Sequence, residues 1–534
     1  MRARHVARGK SAVSAGAVAA APGRRGLDPV QSSPMPDDPD SRALRGDAPH
    51  HGPRAVPAHA PLLDPRGLRA DAPLLDAYLR ALEDSRTPFT IPGHKGRVDL
   101  VGRVVAGDVP LYGGLDVPKL TAGVLPAAEA RAARLWHADV ARFSVGGSTH
   151  GNQALALAVA SPGDTVVVSR TLHRSLFLGL VLAGLEPRWV RPDVEPTTGL
   201  PAAVPAAAVA EALRGHPQAR AVFVGDPSYV GTTSDLAAIA RLAHARGVPL
   251  VVDAAWAAHF GFHPAVPPHA LSLGADALVT SVHKMLAGYS QAALVLASTE
   301  RIDRGRLDRA FDATHTTSPA GTILASIDAS RALLERDGRP LLDGALSLVA
   351  AARARLGAID GLAIVGLPGS DPLRLVLLLP GTGASGFDVE RDLLDEGIAL
   401  EMADRDMLVP VVTIGDDEAS MERLVGALER SIRRHGGRPR RIAPAAAWSI
   451  EPRVARSPRE AFFAPREAVP IATAVGRVAA ELVAPYPPGI PVLAPGEEVT
   501  ADAVDALLRA RGEGVRIAYA ADPTLATLEV LVGT

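Results

Sequence analysis

The sequence predicts an α/β fold: a mostly parallel sheet covered on both faces, then a smaller α/β domain and a C-terminal α+β domain. Three observations carry this. From about Phe143 onward, short apolar β-branched runs alternate with amphipathic helical stretches, the pattern of strands buried on both faces. The chain has 534 residues, too many for one ordinary core, so two to four domains are expected. Its composition is 47% hydrophobic and 21% charged with a formal net charge of −2, which points to a globular protein. That charge gives no electrostatic reason to expect a nucleic acid or an anionic membrane as partner.

Residues 1–68 are rich in Pro, Ala, Arg, Asp and Gly and lack a sustained apolar period, so a disordered tail is expected. Arg2, Arg4, Arg8 and Lys10 precede an Ala-rich stretch, as in a secretory signal. Residues 11–22, however, contain no Leu, Ile or Phe. The expectation is a cytoplasmic protein with a disordered leader, or a start placed too far upstream. Order is expected from Leu74, where Leu74, Leu75, Tyr78, Leu79 and Leu82 share one helical face. An arm and a major domain then occupy 69–330. Strands are expected at 142–145, 165–169, 221–224, 249–253, 277–281 and 292–297, with helices at 151–160, 174–183 and 236–245. The longest apolar run, 175–185, falls short of the ~20 residues that span a bilayer and reads as a buried helix.

A helix near 323–335 leads into the smaller domain, 331–435, with strands at 373–379 and 408–413 and a helix at 388–396. The basic stretch 433–441 contains Pro and Gly but no aromatic residue, so it reads as the start of a linker over 436–456 rather than a nucleic-acid patch. A last domain covers 457–534. No internal repeat is visible.

With no cysteine in the chain, disulfides, thiol catalysis and Cys-ligated metals are excluded. His259 and His263 have i, i+4 spacing, but Gly261 and Pro264 interrupt any helix there. No metal site is expected, and no Gly-x-Ser-x-Gly elbow is present.

Ligands of open parallel sheets bind at the carboxyl ends of the strands. Two such ends carry chemistry. Lys284 follows a strand in Ser281-Val282-His283-Lys284, and Asp253 ends Leu250-Val251-Val252-Asp253. An aspartate there is costly unless it meets a cation. A protonated pyridine nitrogen is a suitable one, and its charge makes the ring an electron sink. A helix cap is the bland alternative for Asp253, as a surface lysine is for Lys284. The two together favour pyridoxal 5'-phosphate (PLP). The stretch from Val145 through Gly146-Gly147-Ser148-Thr149-His150-Gly151-Asn152 is a strand, a Gly-rich turn and a helix start. Such an N-terminus offers N–H groups to a phosphate, with Ser148 and Thr149 adding hydroxyls, although a plain cap fits it too. His173 opens the helix after the strand at 165–169, where an imidazole can stack on a ring.

These strings resemble the Orn/Lys/Arg decarboxylase family from about Leu74 to the C-terminal end. Further strings carry the resemblance: Pro88-Phe89-Thr90-Ile91-Pro92-Gly93-His94-Lys95-Gly96, Gly114-Leu115-Asp116, His259-Phe260-Gly261-Phe262-His263-Pro264 and Thr317-Ser318-Pro319. The most specific are Arg459-Glu460-Ala461-Phe462-Phe463-Ala464 and Tyr486-Pro487-Pro488-Gly489-Ile490-Pro491. The resemblance implies the PLP-dependent transferase fold type I, in a short form without an N-terminal receiver-like domain. It implies that Lys284 carries PLP as a Schiff base, that Asp253 pairs with the ring nitrogen and that His173 stacks on the ring. Ser148, Thr149, Ser281 and His283 would hold the phosphate, and His283 is a candidate to protonate the product carbon. Trp256 stands near the cofactor where a histidine is common, and Ala254 replaces a frequent acidic residue. The segment Val117-Pro118-Lys119 departs from the family pattern.

The implied reaction is decarboxylation of arginine, lysine or ornithine to agmatine, cadaverine or putrescine, a step of polyamine biosynthesis. Asp116, Glu401 and Asp404 are the candidate partners of the substrate's distal cation. The resemblance also implies a homodimer or larger assembly with sites at the interface, and no nucleic-acid or membrane partner. Two alternatives stay open: an aminotransferase of the same fold, and a non-catalytic homologue that regulates polyamine metabolism. Retention of both Lys284 and Asp253 argues against the second.

Overall fold

The computed structural model describes residue 64 and residues 66–533, apart from 84–88, 110, 112–113, 117–119, 196–197, 199, 367–368, 442–449, 451 and 487–488. Most of the expected tail, much of the expected linker, Pro88, the segment Val117-Pro118-Lys119, Pro487 and Pro488 lie outside the described residues.

The arm contains α1 (Pro73–Glu83), the short α2 (Val98–Val101) and α3 (Val124–Leu135). The apolar face of α1 buries Leu74, Tyr78 and Leu79, and the Leu74 N–H donates to Asp328 at 2.8 Å.

A seven-stranded sheet follows: β1 (Val140–Ser144), β2 (Thr165–Ser169), β3 (Glu186–Val190), β4 (Val222–Gly225), β5 (Leu250–Asp253), β6 (Ala277–Ser281) and β7 (Ala293–Ala297). Its spatial order is β1-β7-β6-β5-β4-β2-β3. Only β7 runs antiparallel to its neighbours; the other pairs are parallel. The connecting helices are α4 (Gly147–Val159), α5 (Arg174–Ala183), α6 (Ala206–Gly215), α7 (Leu236–His244), the single turn α8 (Val282–Met285) and α9 (Arg304–Thr314).

Alternation along each strand feeds two cores. Val222, Val224, Val252, Leu278 and Leu294 pack on the side of α6 and α7. Phe223, Val251, Val279 and Val295 pack on the side of α4, α5 and α9. Both faces are therefore apolar, as a covered parallel sheet requires. Gly151 lets α4 lie against the sheet: a Cβ there would stand 2.4 Å from Val279 Cγ2 and 2.9 Å from Val295 Cγ2.

The second sheet differs from a parallel α/β layer. It combines α10 (Gly321–Leu356), β8 (Ala363–Val365), β9 (Val376–Leu378), α11 (Gly386–Asp395), β10 (Met402–Ala403), β11 (Met407–Val409) and α12 (Glu418–His435). Its four strands, in the order β10-β11-β9-β8, pair antiparallel throughout. α10 runs far beyond the expected 323–335, for 36 residues with Pro340 inside it.

The C-terminal segment has its own small core, including Ile471, Val483, Leu493, Leu507 and Leu528. It is built from α13 (Pro458–Phe463), β12 (Arg466–Pro470), β13 (Ala484–Tyr486), α14 (Ala501–Gly512), β14 (Arg516–Ala518) and β15 (Thr527–Leu531). Here β12 pairs with β15 and β13 with β14. A buried ion pair fastens it to the large sheet. Arg170, just past β2, donates through Nη2 to Glu497 Oε2 at 2.9 Å and through Nε to the Pro491 carbonyl at 3.1 Å. Among the described residues, no helix is long and apolar enough to cross a membrane.

Candidate active site

At the carboxyl ends of the parallel strands a cavity of about 550 Å³ opens. Its floor comes from four of those ends. β5 supplies Asp253, and Ala255 and Trp256 follow it. β6 supplies Ser281, followed by His283 and Lys284. The turn after β1 supplies Gly146, Gly147, Ser148 and Thr149. The turn after β2 supplies Thr171 and His173. Gly147, at φ 69°, takes the left-handed turn that starts α4 with its N-terminus toward the cavity, a conformation that suits glycine.

Asp253 is oriented before any ligand arrives. Asn152 Nδ2 donates to its Oδ2 at 2.7 Å and the Ala255 N–H to its Oδ1 at 3.2 Å. Asn152 also donates to Ser175 Oγ at 2.9 Å, and Ser175 Oγ lies 2.8 Å from His173 Nδ1. A polar chain thus connects His173 to Asp253. Burial pulls the His173 imidazole below its usual range, Lys284 and Arg174 add to this, and Asp253 opposes it. A neutral imidazole can stack on a protonated pyridine ring without like-charge repulsion.

Burial likewise holds the Lys284 amine below the usual lysine range. Asp253 and Glu401 oppose the shift, and Arg374 reinforces it. Lys284 Nζ stands 4.1 Å from the centroid of the Trp256 ring, and Arg374 Cζ stands 4.0 Å from the same centroid. A lysine depressed in this way is a nucleophile. Ser148 Oγ and Ser281 Oγ meet at 2.6 Å, both buried, so two hydroxyls and the start of α4 converge where an anion can be held.

His283 behaves differently from a simple phosphate donor. Its Nδ1 donates to the Ala292 carbonyl at 2.9 Å, which leaves Nε2 as the free atom. Burial lowers its pKa, and Lys284 adds to the effect. In the neutral form Nε2 offers a lone pair, so it grips an anion only after taking a proton. His150, from the Gly-rich turn, is structural: its ring nitrogens meet Ser144 Oγ at 2.8 Å and the Phe311 carbonyl at 3.0 Å. His259 and His263 pair with Asp371 and Asp343 respectively.

Of the three acidic candidates for the substrate cation, Glu401 alone lines this cavity. Asp404 is a correction. Its Oδ1 is turned back onto the N–H groups of Asp406 and Met407 at 2.7 and 2.6 Å, and burial raises its pKa to about 6. Asp116 is another correction within this chain. It caps the start of α3, accepting from the Gly123 and Leu125 N–H groups at 2.9 and 2.7 Å.

Several residues of the site escaped the sequence reading. Tyr229 follows β4 in Asp226-Pro227-Ser228-Tyr229 and donates to Glu401 Oε1 at 2.8 Å. The signal was present, because β4 ends on the same edge as β5 and β6. Tyr486, Gly489, Ile490 and Tyr519 also line the cavity, from the C-terminal segment. Arg374 stands behind Trp256 at 2% exposure. None of its three guanidinium nitrogens has a hydrogen-bond partner among the described residues, and Asp371 is 3.8 Å away.

A strand-end acid, an amine with a depressed pKa and a hydroxyl-lined helix start in one cavity fit the ring nitrogen, carbonyl and phosphate of PLP. Residues 72–367 match the model of the Orn/Lys/Arg decarboxylase major domain, and 444–516 match that of the Orn/Lys/Arg decarboxylase C-terminal domain. The chain is 34% identical over 462 residues to an arginine decarboxylase of Halalkalibacterium halodurans, covering 83% of this chain and 94% of that protein. It is 27% identical over 491 residues to lysine decarboxylase LdcA of Pseudomonas aeruginosa, covering 71% of this chain and 65% of that protein. Among solved structures it resembles the constitutive lysine decarboxylase of E. coli, with a TM-score of 0.73 and 21% identity, covering 86% of this chain and 82% of that one.

Proposed function

The chain belongs to the Orn/Lys/Arg decarboxylase family, and from that premise we propose that it converts arginine to agmatine and CO2 with PLP carried by Lys284. The observation that carries the choice of arginine is the pattern of relatives. The arginine decarboxylase is matched at 34% identity over 94% of its length, and LdcA at 27% over 65%.

PLP supplies an electron sink for the carbon that loses CO2. The residues of the chain do the rest. The Lys284 amine, its pKa lowered by burial, would hold PLP through the cofactor's carbonyl carbon. Asp253, fixed by Asn152 and the Ala255 N–H, holds a proton on the ring nitrogen through its negative charge. Ser148, Thr149, Ser281 and the start of α4 hold the phosphate, and His173 covers the ring face. Trp256 braces Lys284 through its indole face. His283 has only Nε2 free to carry a proton, and that atom is our candidate for returning one to the product carbon. Glu401, with Oε1 directed by Tyr229, receives the substrate's distal cation. The working assembly is at least a homodimer.

The test is a product assay on arginine, lysine and ornithine. Agmatine with stoichiometric CO2 is expected. Cadaverine or putrescine as main product would overturn the choice of arginine, and a keto acid would overturn decarboxylation itself.

A further inference from the structure

The outer wall of the cavity comes from a part of the chain remote from the large sheet. β13 ends at Tyr486, and Tyr519 directly follows β14. These strands pair with each other, with Tyr486 opposite Arg516, so the two tyrosines emerge from one small ribbon. Both line the same cavity as Lys284 and Glu401.

Tyr486 is linked to the acidic end of the site. It lines the cavity beside Tyr229, whose hydroxyl donates to Glu401 Oε1 at 2.8 Å. One oxygen of Glu401 is therefore fixed by a phenol that a residue of the C-terminal segment flanks. Tyr519 adopts φ 71°, a left-handed backbone that costs a bulky residue energy and is often kept where a side chain must be aimed. Arg174, next to His173, stands over its ring with Cζ 5.1 Å from the centroid. The wall is not loosely placed: the buried Arg170–Glu497 pair holds this segment to the end of β2.

We propose that the C-terminal segment sets the choice among basic amino acids: Tyr486 acts as a positioning residue that aims Glu401 through Tyr229, and Tyr519 is an aromatic wall for the distal cation. The inference rests on the assignment of a basic amino-acid substrate. With one carboxylate oxygen already taken by Tyr229, an ammonium or guanidinium meets a single free oxygen plus aromatic surface. A guanidinium is planar, weakly hydrated and suited to stacking on an aromatic ring, whereas an ammonium is a compact, strongly hydrated point charge. The aromatic wall therefore favours arginine over lysine.

The experiment uses the full chain loaded with cofactor. Tyr519→Asn removes the ring while suiting the left-handed backbone. It should lower the ratio of kcat/KM for arginine to that for lysine by at least about tenfold. Tyr519→Phe keeps the ring and should retain the ratio. Tyr486→Phe should raise KM for arginine at least about fivefold with a smaller change in kcat, and weaken agmatine binding by calorimetry to the same degree. Cofactor content per chain and melting temperature report folding. Equal losses on arginine, lysine and ornithine in Tyr519→Asn, or an Asn-like Phe variant, would overturn the wall. An unchanged KM and agmatine affinity in Tyr486→Phe would overturn the positioning role. A wild-type protein that forms no amine from any of the three substrates defeats the underlying assignment instead, whatever the variants do.

Discussion

Lys284 and Asp253 divide the chemistry between an amine and a charge, and single substitutions separate the two. Lys284→Ala should fold and lose turnover. Borohydride reduction of the wild-type protein followed by peptide mapping should place the label on Lys284, and a label on another lysine refutes the assignment. Asp253→Asn keeps the shape and removes the charge. Its cofactor content should hold while kcat falls at least about 100-fold, roughly 2.7 kcal/mol of transition-state stabilisation. An Asn variant that turns over near the wild-type rate would reduce Asp253 to a cap. Asp226, behind the site, probes pH. It is fully buried, and burial raises its carboxyl to about 7 although the Ser234 N–H donates to it at 2.6 Å. A raised folded-state pKa means that the native state holds the proton more tightly. Its stabilising contribution is complete below the unfolded value of 3.8, shrinks as pH rises from there and is gone above about 7. Stability should therefore decline over that window by up to about 1.4 kcal/mol per pH unit from this group. Asp226→Asn should flatten that part of the melting-temperature profile, and an unchanged slope would contradict it. At this scale Asp253 and Lys284 were legible because one ends an apolar strand and the other closely follows one. Tyr486, Tyr519 and Arg374 carry no such local mark; only the tertiary fold brings them to the site.

Among elements, the attachment of the C-terminal segment to β2 is the most exposed to test. Arg170 and Glu497 have side-chain exposures of 7% and 2%. Removing one partner strands a buried charge, so Arg170→Met should cost about 3–5 kcal/mol in denaturant unfolding. Adding Glu497→Gln removes that charge and should recover about half of the loss or more. A single variant that loses under about 1 kcal/mol would mean that the pair is as weak as a surface one. The elements themselves were unevenly legible. The helix at 174–183 and the strands at 165–169 and 277–281 were readable to the residue, because unbroken apolar runs leave few alternatives. β3 was missed: Glu186, Pro187 and Arg188 interrupt the apolar pattern, which an edge strand tolerates. α10 was read too short because Gly338 and Pro340 look like a stop. Tertiary packing of residues such as Leu342, Val349 and Leu356 overrides that signal.

For the whole molecule, the arm is the place to look for a second copy. Phe89 is 94% exposed, Val104 83% and Leu120 72%, with Ile91, Leu100 and Val101 also largely exposed. So much apolar surface in one stretch marks an interaction site. Light scattering of the loaded protein should give at least twice the chain mass. Leu100→Asp combined with Val104→Asp should shift it toward the single chain and lower activity. A fully active monomer would refute the assembly.

The tie between β2 and the C-terminal segment also imposes an order on biosynthesis. Arg170 and Glu497 are 327 residues apart in sequence. At roughly 5–20 residues per second, a ribosome needs on the order of 16–65 s to make the stretch between them. Once β7 has been made, well within that interval, the nascent chain carries Lys284, Asp253 and all seven strands of the large sheet. It still lacks Tyr486, Tyr519 and the carboxylate that holds them in place. The pocket thus lacks its outer wall until Tyr486 and Tyr519 have been made, and Arg170 has no Glu497 to pair with until residue 497 is added.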